Sequence, residues 1–397
     1  MSLNSAQRVA SKDIREKLSQ YGIACLWGEA RSGKSRSFLD ASRGYKTLVI
    51  TEKSAIGGVL SEAKAIGVEV DCINYQSVHK MTPSKYNLIV CDESHRFISP
   101  SQPKAPITWK AVVKFTKGKY LILASATPTS EGYGGLYYQL ALSENTPFKY
   151  TRFTKFFAVY GIANLKNIGS RLVPSYKDTK VDMIKRDMSH LVVTLTRKDT
   201  GHKFESQDVF HDVSMSKKQT KLMSKLDNDS IYCKGEYEIL ADTGVKFLGK
   251  AHQIAGGVGV IAEPEFVNDK PRQQIMYFKK VAPKAQYILD NFYIDDIMVL
   301  SYYTFEQKYL AKMFPHTGSI TKLSTGVDLS HHKALIIYSM GFSASNYEQV
   351  RARLMNVNRD TQMVVHYLVS GIDNYVLKAV RSKENFTSGW FKNETRK

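Results

Sequence analysis

Ile23-Ala24-Cys25-Leu26-Trp27-Gly28-Glu29-Ala30-Arg31-Ser32-Gly33-Lys34-Ser35 is the stretch on which the fold turns. Its first half is a short apolar run closed by a glycine, the pattern of a strand buried on both faces. Its second half, Gly28 to Ser35, matches G-x-x-x-x-G-K-[ST], and a helix is expected from Ser35 to Ala41. Glycines in such a loop let several backbone N–H groups point at one phosphate. Lys34 would neutralise β- and γ-phosphate oxygens, and the Ser35 hydroxyl would hold Mg²⁺. A glycine-rich turn with no ligand is the alternative, and the strand–loop–helix context counts against it.

Further strand-like runs follow. Thr47-Leu48-Val49-Ile50, Val68 to Ile73, Asn87-Leu88-Ile89-Val90-Cys91 and Tyr120-Leu121-Ile122-Leu123-Ala124 are apolar with little polar alternation. A helix over Ser54 to Ile66 separates two of them, which gives a βαβ rhythm and an open parallel sheet. Asp92-Glu93 closes the fourth run, at the carboxyl end of a parallel strand, where open α/β sheets bind ligands. Asp92 could hold Mg²⁺ through water and Glu93 could deprotonate an attacking water. A plain surface turn is the competing reading of that pair taken alone.

From about Phe148 to Met188 the chain is basic and aromatic and reads as mostly helical. After Lys284 a second α/β rhythm begins. Strands are expected at Asp296 to Ser301, Ala334 to Tyr338 and Met363 to Leu368, with helices at Phe305 to Met313 and Tyr347 to Met355.

The 397 residues carry 56 Lys+Arg against 37 Asp+Glu, a net charge of +19. This excess points to a polyanionic partner, with nucleic acid first and an anionic membrane surface behind it. No apolar run is long enough to span a bilayer. Met1-Ser2-Leu3-Asn4-Ser5 has no signal-peptide core. The four cysteines form no Cys-x-x-Cys pair, which argues against a disulfide scaffold and a structural zinc. A cytoplasmic location is therefore expected. His331-His332 lacks further ligands at metal spacing and reads as a solvated turn.

Gly28 to Ser35, Asp92-Glu93-Ser94-His95 and Ser125-Ala126-Thr127-Pro128 resemble motifs I, II and III of the superfamily 2 helicases. Thr325-Gly326-Val327-Asp328-Leu329 resembles motif V, and Gln349-Val350-Arg351-Ala352-Arg353 motif VI, all in family order. Thr196-Arg197-Lys198-Asp199, Met215 to Gln219, Ser301-Tyr302-Tyr303 and Phe342 to Gln349 are similar to segments of Swi/Snf-type translocases, particularly compact bacteriophage versions. The resemblance implies two RecA-like P-loop lobes, residues 1–205 and 206–397, with a helical protrusion at about 150–205. It implies ATP and Mg²⁺ as cofactors and DNA as partner, duplex or branched, with RNA not excluded; a phage-encoded chain would work in the host bacterial cytoplasm.

Residue by residue, the resemblance assigns Lys34, Glu93 and Arg353 to catalysis. Gln7, Gly28, Arg31, Ser32, Gly33, Lys34, Ser35, Gly326 and Asp328 would bind the nucleotide, and Ser35 and Asp92 the metal. Lys53, Ser324 and Thr325 would touch the nucleic-acid backbone. Ser125, Thr127 and Gln349 would couple the two sites. Gln20 competes with Gln7 as adenine reader. Basic residues are expected along a face shared by both lobes.

Two departures stand out. Motif VI of the family reads Gln-x-x-Gly-Arg-x-x-Arg, whereas here Ala352 and Asn356 replace the glycine and the final arginine. Arg353 is then the finger candidate, with Arg351 and Arg359 as substitutes. Only Phe314 to Leu323 separate the motif IV helix from Ser324, so the second lobe is expected to be trimmed by a strand and a helix. Three functions stay open: an ATP-dependent DNA translocase or helicase, an ATP-gated nucleic-acid binding module with little turnover, and an RNA helicase.

Overall fold

The structure, a computed structural model, describes residues 3–95, 105, 107–129, 132–168, 171–176, 178–229, 231–234, 237–241, 243–267, 270–277, 279–323, 329, 331–352, 355 and 362–382. The chain divides into two units, Met1–Lys203 and Phe204–Lys397.

In the first unit, α1 (Ser5–Tyr21) leads into β1 (Ile23–Gly28), then α2 (Lys34–Ala41), β2 (Thr47–Thr51), α3 (Ile56–Ala65), β3 (Asp71–Asn74) and β4 (Leu88–Asp92). There follow α4 (Ile107–Thr116), β5 (Tyr120–Ser125), α5 (Leu136–Leu140), α6 (Phe153–Tyr160), β6 (Asn164–Ile168), β7 (Arg171–Ser175), α7 (Val181–Met188) and β8 (Val192–Leu195). Six strands form one parallel sheet in the order β3-β2-β4-β5-β1-β8. Alternate residues of each run serve opposite faces. Ile23 and Cys25 join one buried cluster with Ile89, Cys91, Leu121 and Leu123. Ala24 and Leu26 join another with Ile14, Phe38, Val90 and Ile122. Helices cover both faces, which is why the runs lack polar alternation.

The basic, aromatic stretch departs from its mostly helical expectation. Between α6 and α7 stands an antiparallel hairpin, β6–β7, and β8 belongs to the main sheet rather than to a protrusion. Phe148, Phe153, Phe156 and Tyr160 are buried together here, and pack on Tyr137. Aromatic packing, not helix periodicity, holds this region.

The second unit runs β9 (Gln207–Asp212), α8 (Lys217–Asp229), β10 (Ile231–Lys234), β11 (Tyr237–Leu240), α9 (Gly244–Ala255), β12 (Val258–Val267), β13 (Lys270–Tyr277), α10 (Pro283–Asn291), β14 (Ile297–Ser301) and α11 (Thr304–Leu310). It ends with β15 (Thr317–Ser319), α12 (Ile320–Leu323), β16 (Ala334–Ile337), α13 (Ala344–Ala352), β17 (Val364–Val369) and α14 (Asp373–Arg381). Five of its strands form a parallel sheet, β15-β14-β16-β17-β9, and four others an antiparallel sheet, β10-β11-β12-β13. The antiparallel sheet was not legible in the sequence. The expected trimming of the second parallel sheet holds in strand number, although a three-residue strand, β15, and a one-turn helix, α12, still fit between Met313 and Ser324. Among the described residues this parallel sheet has five strands where the first unit has six.

Charge is divided unequally. Residues 1–203 carry 31 Lys+Arg against 16 Asp+Glu, a net +15, and residues 204–397 carry 25 against 21, a net +4. Most of the excess thus lies in the first unit, while the second still carries 25 Lys+Arg.

Candidate active site

The loop between β1 and α2 is built around two backbone exceptions. Gly33 has φ of 80°, and a Cβ there would collide with Gln7 Nε2. Arg31 has φ of 69°, and Glu93, just after β4, has φ of 51°. Among the described residues these are the two non-glycine residues with positive φ. Left-handed backbone costs a non-glycine residue free energy and gathers at functional sites.

Lys34 is buried and its Nζ donates to the carbonyls of Gly28 at 2.9 Å and Glu29 at 3.1 Å. Its aliphatic stem lies over Gly28, where a Cβ would meet Lys34 Cγ at 2.6 Å. Ser32 Oγ is buried with no hydrogen-bond partner among the described residues, a donor left for an incoming oxygen. Ser35, the second residue of α2, is half-buried.

Gln7 sits against this loop, with Nε2 toward Gly33 and Oε1 accepting from Asn4 N at 3.1 Å. Asn4 Oδ1 accepts in turn from Gln7 N at 2.8 Å. This reciprocal capping box fixes the start of α1. Gln20, the competing candidate, is exposed at the far end of α1.

Strand order brings the acids to the loop. Asp92 ends β4, which lies between β2 and β5. Thr51 Oγ1 donates to Asp92 Oδ2 at 2.9 Å, and Tyr75 OH to the Asp92 carbonyl at 2.6 Å. Burial, then the neighbouring Glu93 charge, raises the Asp92 carboxyl to about 6, and Lys34 and Thr51 oppose the rise. A buried carboxylate held up in this way gains from a nearby dication. With the Ser35 hydroxyl it offers hard oxygens of the kind Mg²⁺ takes alongside substrate phosphates and water. Bound there, Mg²⁺ would neutralise charge on the phosphate oxygens.

Beyond Glu93 a chain of polar contacts runs to β5. His95 Nδ1 is 3.4 Å from Glu93 Oε2 and 2.7 Å from Ser125 Oγ. Thr127 N donates to Ser125 Oγ at 3.0 Å, and Thr127 Oγ1 lies 3.3 Å from His95 Nε2. Ser94 Oγ donates to Gln139 Oε1 at 2.8 Å, and Gln139 Nε2 to the Pro128 carbonyl at 2.8 Å. The structure therefore brings Gln7, Gly28, Ser32, Gly33, Lys34, Asp92, Glu93, Ser125 and Thr127 into one region. Sequence reading gave His95 no role. Its position three residues after Asp92 was the available signal.

Other candidates fall elsewhere. Lys53 is exposed on a turn after β2. Gln349 is buried on α13 with neither carboxamide atom partnered among the described residues. Arg351, a substitute finger, is committed: its Nε donates to Asp208 Oδ1 at 3.1 Å, and its guanidinium lies over the Tyr347 ring. Ser324, Thr325, Gly326, Asp328, Arg353, Asn356 and Arg359 lie outside the described residues. His331 and His332 rings are 4.0 Å apart, and His316 lies 4.9 Å from His332. Burial and the two neighbours push His332 down to about 4. No group of three or more His, Cys, Asp or Glu among the described residues could hold a metal ion. No helix among them is long and apolar enough to cross a membrane.

Residues 32–130 match the model of a family described as the type III restriction enzyme, res subunit, which is a superfamily 2 helicase-like P-loop family. The matched stretch, about a quarter of the chain, contains Lys34, Asp92, Glu93, Ser125 and Thr127. Of the curated proteins, none matches the chain.

Proposed function

We propose that this chain is an ATP-dependent DNA translocase or helicase of Swi/Snf-like, compact phage type, with its two units as RecA-like lobes. The observation that carries this reading is the convergence of the Gly28–Ser35 loop with Asp92 and Glu93 in the unit that holds most of the positive charge. Lys34 binds and neutralises the β/γ-phosphate oxygens. Asp92 and Ser35 hold the metal. Glu93 orients and deprotonates the attacking water. Arg353 is the finger that offsets negative charge on the γ-phosphate oxygens during transfer. Gln7 reads adenine, Gly326 and Asp328 face the nucleotide, and Lys53, Ser324 and Thr325 hold the backbone of the nucleic acid. Ser125, Thr127 and Gln349 link ATP state to grip.

ATP hydrolysis measured with single-stranded DNA, duplex, forked DNA and RNA tests this reading. Stimulation by DNA is expected, with a fall of about a hundredfold or more in Lys34→Ala and Glu93→Gln. No stimulation by any nucleic acid would overturn it, and preference for RNA would favour an RNA helicase. One observation supports a second reading, an ATP-gated binding module. Arg351 is tied to Asp208 and Asn356 replaces the family's final arginine, so the finger role falls on Arg353 and Arg359. Tight ATP-dependent DNA binding with very slow hydrolysis would favour that module.

A further inference from the structure

The β6–β7 hairpin is a two-stranded sheet of its own. Its register pairs Leu165 with Pro174 and Asn167 with Leu172, so Leu165, Leu172 and Pro174 share one face. Leu165 is 66% and Leu172 64% exposed, and Ile162 at the root is 45% exposed. Isolated hairpins are marginal in water, yet this one has a fixed base. Ile162 N donates to the Asp178 carbonyl at 2.9 Å and Lys180 N to the Tyr160 carbonyl at 2.7 Å. Asn164 Nδ2 donates to Asp178 Oδ2 at 2.7 Å. Gly161 lies so close to Phe157 that a Cβ could not be added without displacing it. The root thus rests on the buried Phe153, Phe156 and Tyr160 cluster, and the leucines are presented to solvent on a firm base.

Residues 149–187 around this ribbon carry nine Lys+Arg against three Asp+Glu, a net +6 of the first unit's +15. Lys149, Arg152, Lys155, Lys180, Lys185 and Arg186 are exposed. Lysine-rich surroundings are unlike the core of a protein–protein interface and complement a polyanion. Duplex DNA offers phosphates outside but hides its apolar base faces. Apolar side chains reach those faces only where bases are unstacked. We infer that the Leu165/Leu172 face of this hairpin packs on accessible base faces of nucleic acid, at a single-stranded segment or a strand junction, while the surrounding basic residues hold the phosphates. This rests on the nucleic-acid reading above and adds a contact that distinguishes opened strands from closed duplex.

The test uses the full chain and its Leu165→Ser/Leu172→Ser double variant. Affinity for a blunt duplex, a forked duplex of the same sequence and the single strand is read by fluorescence anisotropy at several salt concentrations. The variant is expected to keep duplex affinity within about twofold and to bind fork and single strand about tenfold more weakly, as for partial loss of two leucines' apolar burial. Its salt slope should be unchanged, because no phosphate contact is removed. Leu165→Met/Leu172→Met should retain wild-type preference. An unchanged preference for fork and single strand in the Ser variant, or equal losses on all three substrates, would overturn the inference. So would loss of self-association by sedimentation, or loss of binding to anionic vesicles, with nucleic-acid binding intact. A wild-type chain that binds no nucleic acid would instead overturn the parent reading.

Discussion

Arg197 grips Glu29 from two directions. Its backbone N–H donates to Glu29 Oε2 at 2.7 Å, and its guanidinium Nη2 lies 3.8 Å from Oε1. The same guanidinium donates from Nη1 to the Ala30 carbonyl at 3.5 Å, and Glu29 N donates to the Leu195 carbonyl at 2.9 Å. The segment after β8 is therefore stitched to the phosphate-loop candidate, beside the strained Arg31. Arg197→Ala should weaken nucleotide binding about tenfold, the scale of one or two charge-assisted hydrogen bonds. Turnover at saturating ATP should change less. Fluorescent-nucleotide titration alongside kcat separates the two, and a fall in kcat alone would count against a positioning role.

Asp92 gives the site a pH signature. Its folded value, about 6, lies above the ordinary 3.8 because of burial and Glu93. A raised carboxyl means the folded state binds its proton more tightly, so this stabilising contribution is full below about 4 and lost as pH rises through about 6. In the absence of nucleotide, stability should decline over that window in wild type and be flatter in Asp92→Asn. Mg²⁺ competes with the same proton, so Mg²⁺-dependent nucleotide binding should weaken as pH falls below about 6. Thermal melts across pH and Mg²⁺ titrations check both signs.

Ser125 sits between His95 and Thr127, and its hydroxyl serves both. Ser125→Ala leaves buried polar atoms short of a partner, at a local cost of about 1–3 kcal/mol. Nucleotide affinity should stay near wild type while stimulation of hydrolysis by DNA is largely lost. Equal stimulation in variant and wild type would remove Ser125 from the coupling path.

Lys284 and Asp373 test the second unit. Both are buried, with Nζ 2.5 Å from Oδ2, and His252 Nε2 lies 3.1 Å from Oδ1. Lys284, His252 and hydrogen bonds outweigh burial and hold the Asp373 carboxyl below its usual range. Lys284→Met should destabilise this unit by about 3–5 kcal/mol, because it strands a buried carboxylate. Lys284→Met/Asp373→Leu should recover much of that loss. Urea unfolding of the four-member cycle measures the coupling directly.

Much of this fold and site is legible in the sequence. Continuous apolar runs such as Leu88 to Cys91 mark parallel strands because both faces are covered, and the Gly28–Ser35 spacing marks the loop between strand and helix. Asp92 was legible because a strand end places it. The hairpin at β6–β7 has no clean period-2 signal, because Asn167 is polar on the leucine face and Val173 is apolar on the other, and its stability comes from aromatic packing at the root. The β12–β13 pair carries no such signal, because adjacent antiparallel strands have no helix between them and so lie outside a βαβ rhythm. Capture of Arg351 by Asp208 is a tertiary pairing across 143 positions, with no local signature.

In each unit the last strand of the parallel sheet is hydrogen-bonded to the first: β8 to β1, and β17 to β9. During synthesis, the strand carrying the phosphate-loop candidate must wait for Val192–Leu195 before both of its edges are paired. Likewise Gln207–Asp212 waits for Val364–Val369. Contacts of such long separation close late. A ribosome stalled within either unit would thus hold a sheet with an open apolar edge, so each unit is most exposed to aggregation and proteases just before its final strand emerges.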